Sequence, residues 1–128
     1  MKKLITPSDE QKAAYQKDLR DMNLLKKALD GKYKQFILLA FENCETKCFC
    51  QLSLEIMQGN GKAISRTTLA KNLKSHVKNC FLILVESPVS SEQKDYKCTP
   101  HGRQAIKYIR SHADFASLHH HHLEQLKK

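Results

Sequence analysis

Glycine is scarce, with four residues in 128. A phosphate-cradling loop needs several glycines close together, so there is little room for a nucleotide or dinucleotide cradle. No nucleophile motif stands out. The one close acid pair, Asp9-Glu10, falls where a helix start accounts for it. These absences argue against an enzyme and against a bound organic cofactor, and no catalytic residues are assigned. Long apolar runs are missing too. The longest, Phe81-Leu82-Ile83-Leu84-Val85, has strand length, far short of the roughly 20 residues that span a bilayer. No membrane partner is expected. Basic residues open the chain in Met1-Lys2-Lys3-Leu4-Ile5-Thr6-Pro7, but no apolar stretch follows them. No secretory signal is read there, and the expected compartment is the cytoplasm.

Acidic residues are absent between Glu55 and Glu86, while Lys62, Arg66, Lys71, Lys74 and Lys78 all fall in that stretch. The chain carries 22 Lys and Arg against 13 Asp and Glu, a formal charge of +9. Such a balance points to a polyanion, chiefly nucleic acid. The N-terminal segment mixes both signs, so the positive field is concentrated on one stretch.

The five cysteines are Cys44, Cys48, Cys50, Cys80 and Cys98. An odd count without a signal peptide suits free thiols in a reducing compartment. Cys44-x-x-x-Cys48-x-Cys50 is half of a zinc pattern, but the second close pair is missing, so no metal site is assigned. Buried or idle thiols are expected. A redox switch at Cys48 and Cys50, on a connector, is the alternative. His119-His120-His121-His122 occupy four consecutive positions that point in four directions on a helix, and read as an exposed polar tail. His76 lies on an apolar helix face and reads as a core histidine.

Apolar periodicity and capping signals give the order of elements. Ser8 with Gln11 three residues on is a capping box. Tyr15, Leu19, Met22, Leu25 and Leu29 then recur at helical steps, giving a helix over 8–30 that stops at Gly31. A second helix, over 33–43, has the apolar centre Phe36-Ile37-Leu38-Leu39-Ala40-Phe41. Residues 44–48 read as a connector, and 49–58 as a third helix with Leu52, Ile56 and Met57 inward. Gln58-Gly59-Asn60-Gly61 is a turn. Ser65 caps a fourth helix that runs to about Asn79. Residues 81–86 read as a buried strand, 87–93 as a loop and 95–98 as the returning strand of a hairpin. Thr99 then caps a last helix that opens on Pro100, where a missing N–H is harmless. It carries Ile106 and Ile109 inward, with Phe115 and Leu118 as further inward candidates, and can extend to Leu126. The expected class is mainly α with a small β-hairpin (α+β), a winged helix-turn-helix with flanking N- and C-terminal helices. Residues 1–31 are the N-terminal amphipathic helix, 32–112 the winged domain and 113–128 a C-terminal helix extension or tail.

The fourth helix has two unlike faces. Leu69, Leu73, His76, Val77 and Cys80 share one side, and Thr67, Lys71, Lys74 and Lys78 the other, flanked by Asn72 and Ser75. One side can dock on a core while cations and hydroxyls face phosphates and base edges. Arg66, Thr67 and Thr68 occupy the first turn, which reaches deepest toward bases in helix-turn-helix docking. Lys94 and Lys97 are the cations that the hairpin could add.

The run 61–106 resembles winged-helix regulators of the PadR and MarR types. The most specific part is Tyr96-Lys97-Cys98-Thr99-Pro100-His101-Gly102-Arg103, similar to the Tyr-x-Leu-Thr-x-x-Gly-Arg segment that closes the wing in those families. Cys98 replaces an aliphatic residue. Asn79-Cys80 stands where a glycine usually makes the bend after the reading helix, and Asn79 is the residue expected to tolerate that bend. The resemblance covers about 33–108. It implies sequence-specific binding of double-stranded DNA by Arg66, Thr67, Thr68, Lys71, Asn72, Lys74, Ser75, Lys78, Lys94 and Lys97. It also implies a homodimer through the flanking helices, residues 8–30 and 99–126. A winged-helix protein–protein assembly module and a nonspecific nucleic-acid binder of a mobile element are the alternatives.

Overall fold

A computed structural model of the chain describes residues 6, 8–31, 33–89 and 92–127. The basic start of the chain and Ser90-Ser91 of the expected loop lie outside the described residues. The chain forms two compact units, Met1–Asp30 and Gly31–Lys128.

Among its described residues the first unit holds one helix, α1 (Asp9–Leu29). Its start is the reciprocal capping box: the Gln11 N–H donates to Ser8 Oγ (3.2 Å) and the Ser8 N–H to Gln11 Oε1 (2.9 Å). Asp9 and Glu10 in the first turn and Lys26 and Lys27 in the last complement the helix dipole. Of the apolar stripe, Tyr15, Leu19 and Met22 are exposed, Leu25 is half-buried and Leu29 is buried.

The second unit holds α2 (Lys34–Leu39), β1 (Thr46–Lys47), α3 (Phe49–Asn60), α4 (Arg66–Lys78), β2 (Leu82–Glu86), β3 (Lys94–Cys98) and α5 (Pro100–Leu126). Helix α2 ends earlier than its apolar run suggests. After Leu39 the chain tightens into three-residue turns, Phe41 N–H to Leu38 O and Glu42 N–H to Leu39 O, both 3.0 Å. The Arg103 guanidinium takes up the carbonyls left at that end, with Nη1 2.6 Å from Phe41 O and 3.2 Å from Glu42 O.

Residues 44–48 are more than a connector. Thr46 and Lys47 pair antiparallel with Lys97 and Tyr96, so the sheet has three strands in the order β1-β3-β2. Lys47 is buried in that strand and reaches Glu55 on α3 at 2.6 Å. Strands β2 and β3 form the wing, in register from Leu82↔Cys98 to Glu86↔Lys94. The core side of the hairpin is short. Phe81 and Leu82 are buried, but Ile83 and Leu84 are exposed, so β2 is not the buried strand its composition suggests. Other inward assignments fail as well. Met57 on α3 is exposed, and Phe115 and Leu118 on α5 are 67% and 65% exposed, because that last helix continues past the edge of the core. The core itself is Ile37, Leu38, Phe41, Leu52, Ile56, Ile64, Leu69, Leu73, Phe81, Leu82, Cys98, Ala105, Ile106 and Ile109.

The turn from α4 into the wing is a Schellman motif: Phe81 N–H donates to His76 O (3.0 Å) and Cys80 N–H to Val77 O (3.1 Å). The left-handed residue that this motif needs is Cys80 (φ +64°), not Asn79, which stays at φ −87°. Cys80 is the single non-glycine residue with positive φ among the described residues. An L side chain in that well costs about 1–2 kcal/mol. The strained turn is clamped by Thr99. Its hydroxyl lies 2.5 Å from Cys80 O and 3.1 Å from Phe81 O, its N–H donates to Phe81 O (3.1 Å), and its Oγ1 accepts from Gly102 N–H (2.9 Å) to cap α5.

Candidate nucleic-acid interface

Helix α4 starts on Ser65, whose Oγ accepts from Thr68 N–H (3.1 Å) and donates to Thr68 Oγ1 (2.7 Å). Leu69, Leu73 and His76 face the core. Arg66, Thr67, Ala70, Lys71, Lys74 and Lys78 are exposed. Among the described residues no carboxylate pairs with Arg66, Lys71, Lys74 or Lys78. Their charge is left for an outside partner.

The remaining candidates are placed differently. Thr68, Asn72 and Ser75 are half-buried. Asn72 turns its amide onto its own helix, Nδ2 donating to Thr68 O at 2.9 Å. Ser75 O accepts from Asn79 Nδ2 at 2.9 Å. The wing lysines each face an acid: Lys94 lies 3.9 Å from Glu86, its register partner, and Lys97 lies 3.6 Å from Glu45. The four helix cations are therefore exposed without a carboxylate partner among the described residues, whereas the two wing cations stand in ion pairs.

Arg66 has a neighbour that the sequence did not suggest. Its guanidinium carbon lies over the ring of Phe49, 5.5 Å from the centroid. Phe49 is the first residue of α3, half-buried, so the starts of α3 and α4 come side by side. An open cleft of about 300 Å³ lies beside this pair, lined also by Cys50, Ser53, Leu54, Met57 and Ala63. No local pattern links residues so far apart in sequence, and only a fold hypothesis could have paired them.

His76 holds α4 to α2. It is fully buried, with Nε2 2.9 Å from Lys34 O. Nδ1 is buried and has no partner among the described residues. Burial pushes the imidazole down to about 4, against a raising effect of the Lys34 carbonyl, with the Lys34 charge lowering it further. The ring is neutral at pH 7, donating from Nε2. Phe81 meets it edge-on at 5.8 Å and itself stacks on His101 at 5.0 Å.

All five cysteines are free. Cys48 does not sit on a connector. It is the N-cap of α3, its Sγ accepting from Gln51 N–H at 3.4 Å, and Cys50 lies in the first turn of that helix. Cys98 is buried, which pushes its thiol up, partly opposed by Arg103. Among the described residues no group of three or more His, Cys, Asp and Glu is placed to hold a metal ion. No helix among them is long and apolar enough to cross a membrane.

No protein-family model and no curated protein sequence matches the chain. Solved structures do. A putative transcriptional regulator, ytfH from Salmonella typhimurium, is 26% identical, with a TM-score of 0.61 over 84% of this chain and 91% of that one. Sso10a-2, a DNA-binding protein from Sulfolobus solfataricus, is 16% identical, with a TM-score of 0.58 over 76% and 94%. The adhesin competence repressor AdcR from Streptococcus pyogenes is 18% identical, with a TM-score of 0.57 over 93% and 83%. These likenesses agree with the order of helices, the three-stranded sheet and the hairpin: the chain has the winged helix-turn-helix fold.

Proposed function

We propose that this protein is a transcription regulator of the PadR/MarR kind that binds double-stranded DNA sequence-specifically, with α4 in the major groove. The observation that carries this reading is the cation row Lys71, Lys74 and Lys78, without a carboxylate partner among the described residues, on the open face of a core-docked helix. The solved relatives support it, since Sso10a-2 is a DNA-binding protein and ytfH a putative transcriptional regulator. Free thiols suit a reducing compartment, and the cytoplasm is where such a regulator would meet DNA. Lys94 and Lys97, already facing acids, contribute less than the α4 cations do. Asn72 contributes by holding the Thr68 carbonyl rather than by reaching a base.

Replacing Lys71, Lys74 and Lys78 together with alanine is expected to weaken binding to duplex DNA while the fold survives. Each phosphate left without its lysine takes about 0.9 off the slope of log K against log salt, so the slope should flatten by up to about 2.7. Titrations of wild type and triple variant at several salt concentrations measure this directly. An unchanged slope would place the DNA-binding face on another surface. Absence of wild-type affinity at physiological salt would favour an assembly module instead.

The active species is a homodimer in this reading. Tyr108, Phe115, Leu118, Leu123 and Leu126 are exposed along α5, as are Tyr15, Leu19 and Met22 along α1. At roughly 25 cal/mol per Å² of apolar area covered, a second copy on these faces contributes several kcal/mol. Two copies also match a palindromic site. Light scattering should give a dimer for wild type, and a monomer for F115E with L118E or for L19E with L25E. A wild-type monomer at micromolar concentration would refute the dimer.

A further inference from the structure

We infer that Phe49 and Arg66 act as one unit that reads a guanine: Arg66 contacts the base edge and Phe49 is the positioning residue that aims it. This rests on the DNA-binding reading above and goes further, to the residue pair that sets sequence preference.

Arg66 is the first residue of α4. A cation there is opposed by the positive end of the helix dipole, so it does nothing for the helix itself. It is exposed, and among the described residues no hydrogen bond or ion pair occupies its donors. Its guanidinium is nonetheless located, because the Phe49 ring lies beneath it. An aromatic face attracts the cation through its quadrupole but offers no lone pair. The in-plane N–H fork therefore stays available, and that fork matches the O6 and N7 acceptors of guanine in the major groove. Holding the side chain beforehand removes part of the rotamer entropy that an arginine loses on binding.

Phe49 is itself held. It follows Cys48, whose thiol and backbone form a capping box with Gln51 at 3.4 Å on both arms. The stacked pair thus ties the first turn of one helix to the first turn of the next. Of the exposed cations on α4, Arg66 stands in the turn that reaches deepest toward the bases, and it is the one that carries a planar, bidentate donor set.

The test is selection from a pool of duplexes with a randomised centre, run with wild type, R66A, F49L and F49Y, followed by salt titrations on the selected site. Wild type should select a guanine at one position of each half-site. R66A should lose that preference by about 5- to 150-fold, the range of a good bidentate pair. F49L keeps an apolar side chain but removes the ring face. It should lose part of the same preference at the same position, with a salt slope equal to wild type, and F49Y should restore it. Melting curves of F49L and F49Y near that of wild type show that the readout is not misfolding. A uniform loss of affinity on all sequences in R66A, with the slope lowered by about one, makes Arg66 a phosphate ligand and overturns the inference. Intact preference in F49L overturns the positioning role. No binding of wild type to any duplex overturns the DNA reading, and this inference with it.

Discussion

Replacing Gly102 with alanine is expected to destabilise the fold by about 3 kcal/mol, a clash larger than the typical overpacked core site. The reason is space rather than backbone freedom. A Cβ at Gly102 would stand far inside van der Waals distance of Phe81 O, and 2.8 Å from Cys98 Sγ. The carbonyl is main chain and is already held by Thr99, so it cannot step aside without opening the clamp between the end of α4 and the start of α5. The figure of about 3 kcal/mol is net of the roughly 1 kcal/mol at most that alanine's better helix propensity returns. For a domain of this size the net loss lowers Tm by roughly 10–15 °C. Thermal unfolding followed by circular dichroism checks this. A variant that melts with wild type would mean that α5 can stand further from Phe81 than the structure has it. Gly61 offers the contrast: its added Cβ meets nothing within 4 Å, and only its φ of +75° favours glycine.

Acid should loosen the same domain through His76. The folded imidazole is held down at about 4, below its ordinary 6.5. Between those values the unfolded chain binds a proton that the folded one refuses. Stability is therefore whole above about pH 6.5, falls as pH drops toward 4 and levels off below that. Two and a half pH units correspond to about 3 kcal/mol. In H76Q the amide can still donate to Lys34 O from a similar place, but it cannot titrate. Urea unfolding of wild type and H76Q from pH 7.5 to 4 separates this effect from the carboxylates, which both proteins share. The wild-type curve should fall by about 3 kcal/mol relative to H76Q. Parallel curves would show that the buried ring is not held neutral. Since His76 joins α4 to the start of α2, the contact at stake is one that seats the proposed DNA-reading helix on the core.

The helix starts were legible because capping is local. Ser8 with Gln11, Ser65 before Thr68, and Thr99 with Pro100 each declare a boundary within four residues. Strand β1 was not legible. Two residues of Thr-Lys carry no period, and their partners Lys97 and Tyr96 lie on the far side of the wing. The wheel of α4 separated its open and docked faces, because the angle between side chains follows from sequence alone. Whether an apolar face is covered does not follow from the wheel, and Met57, Phe115 and Leu118 were misassigned inward on that account. The bend after α4 was legible as a place but not as a residue: the Schellman geometry puts its left-handed position at Cys80, one step beyond Asn79. The ion pair of Lys94 with Glu86 needed the strand register, and the stacking of Arg66 on Phe49 needed the packing of two helices.

Helix α5 is fastened to the end of α2 at two levels. Arg103 holds the carbonyls of Phe41 and Glu42, and Arg110 grips the Glu42 carboxylate with a fork of 2.9 and 2.7 Å. Beyond Arg110 no described residue of the helix is buried. Those last sixteen positions of α5 make a free arm about 24 Å long at 1.5 Å per residue. Such an arm is a lever with its fulcrum at Glu42. A 10° tilt at the fulcrum swings the tip by about 4 Å, close to the 3.4 Å rise of one base pair. With the tips fixed to a second copy, the same angle would move the rest of the domain instead, and a tilt of about 10° at one ion pair would gear the spacing of two reading heads by about one step along a duplex.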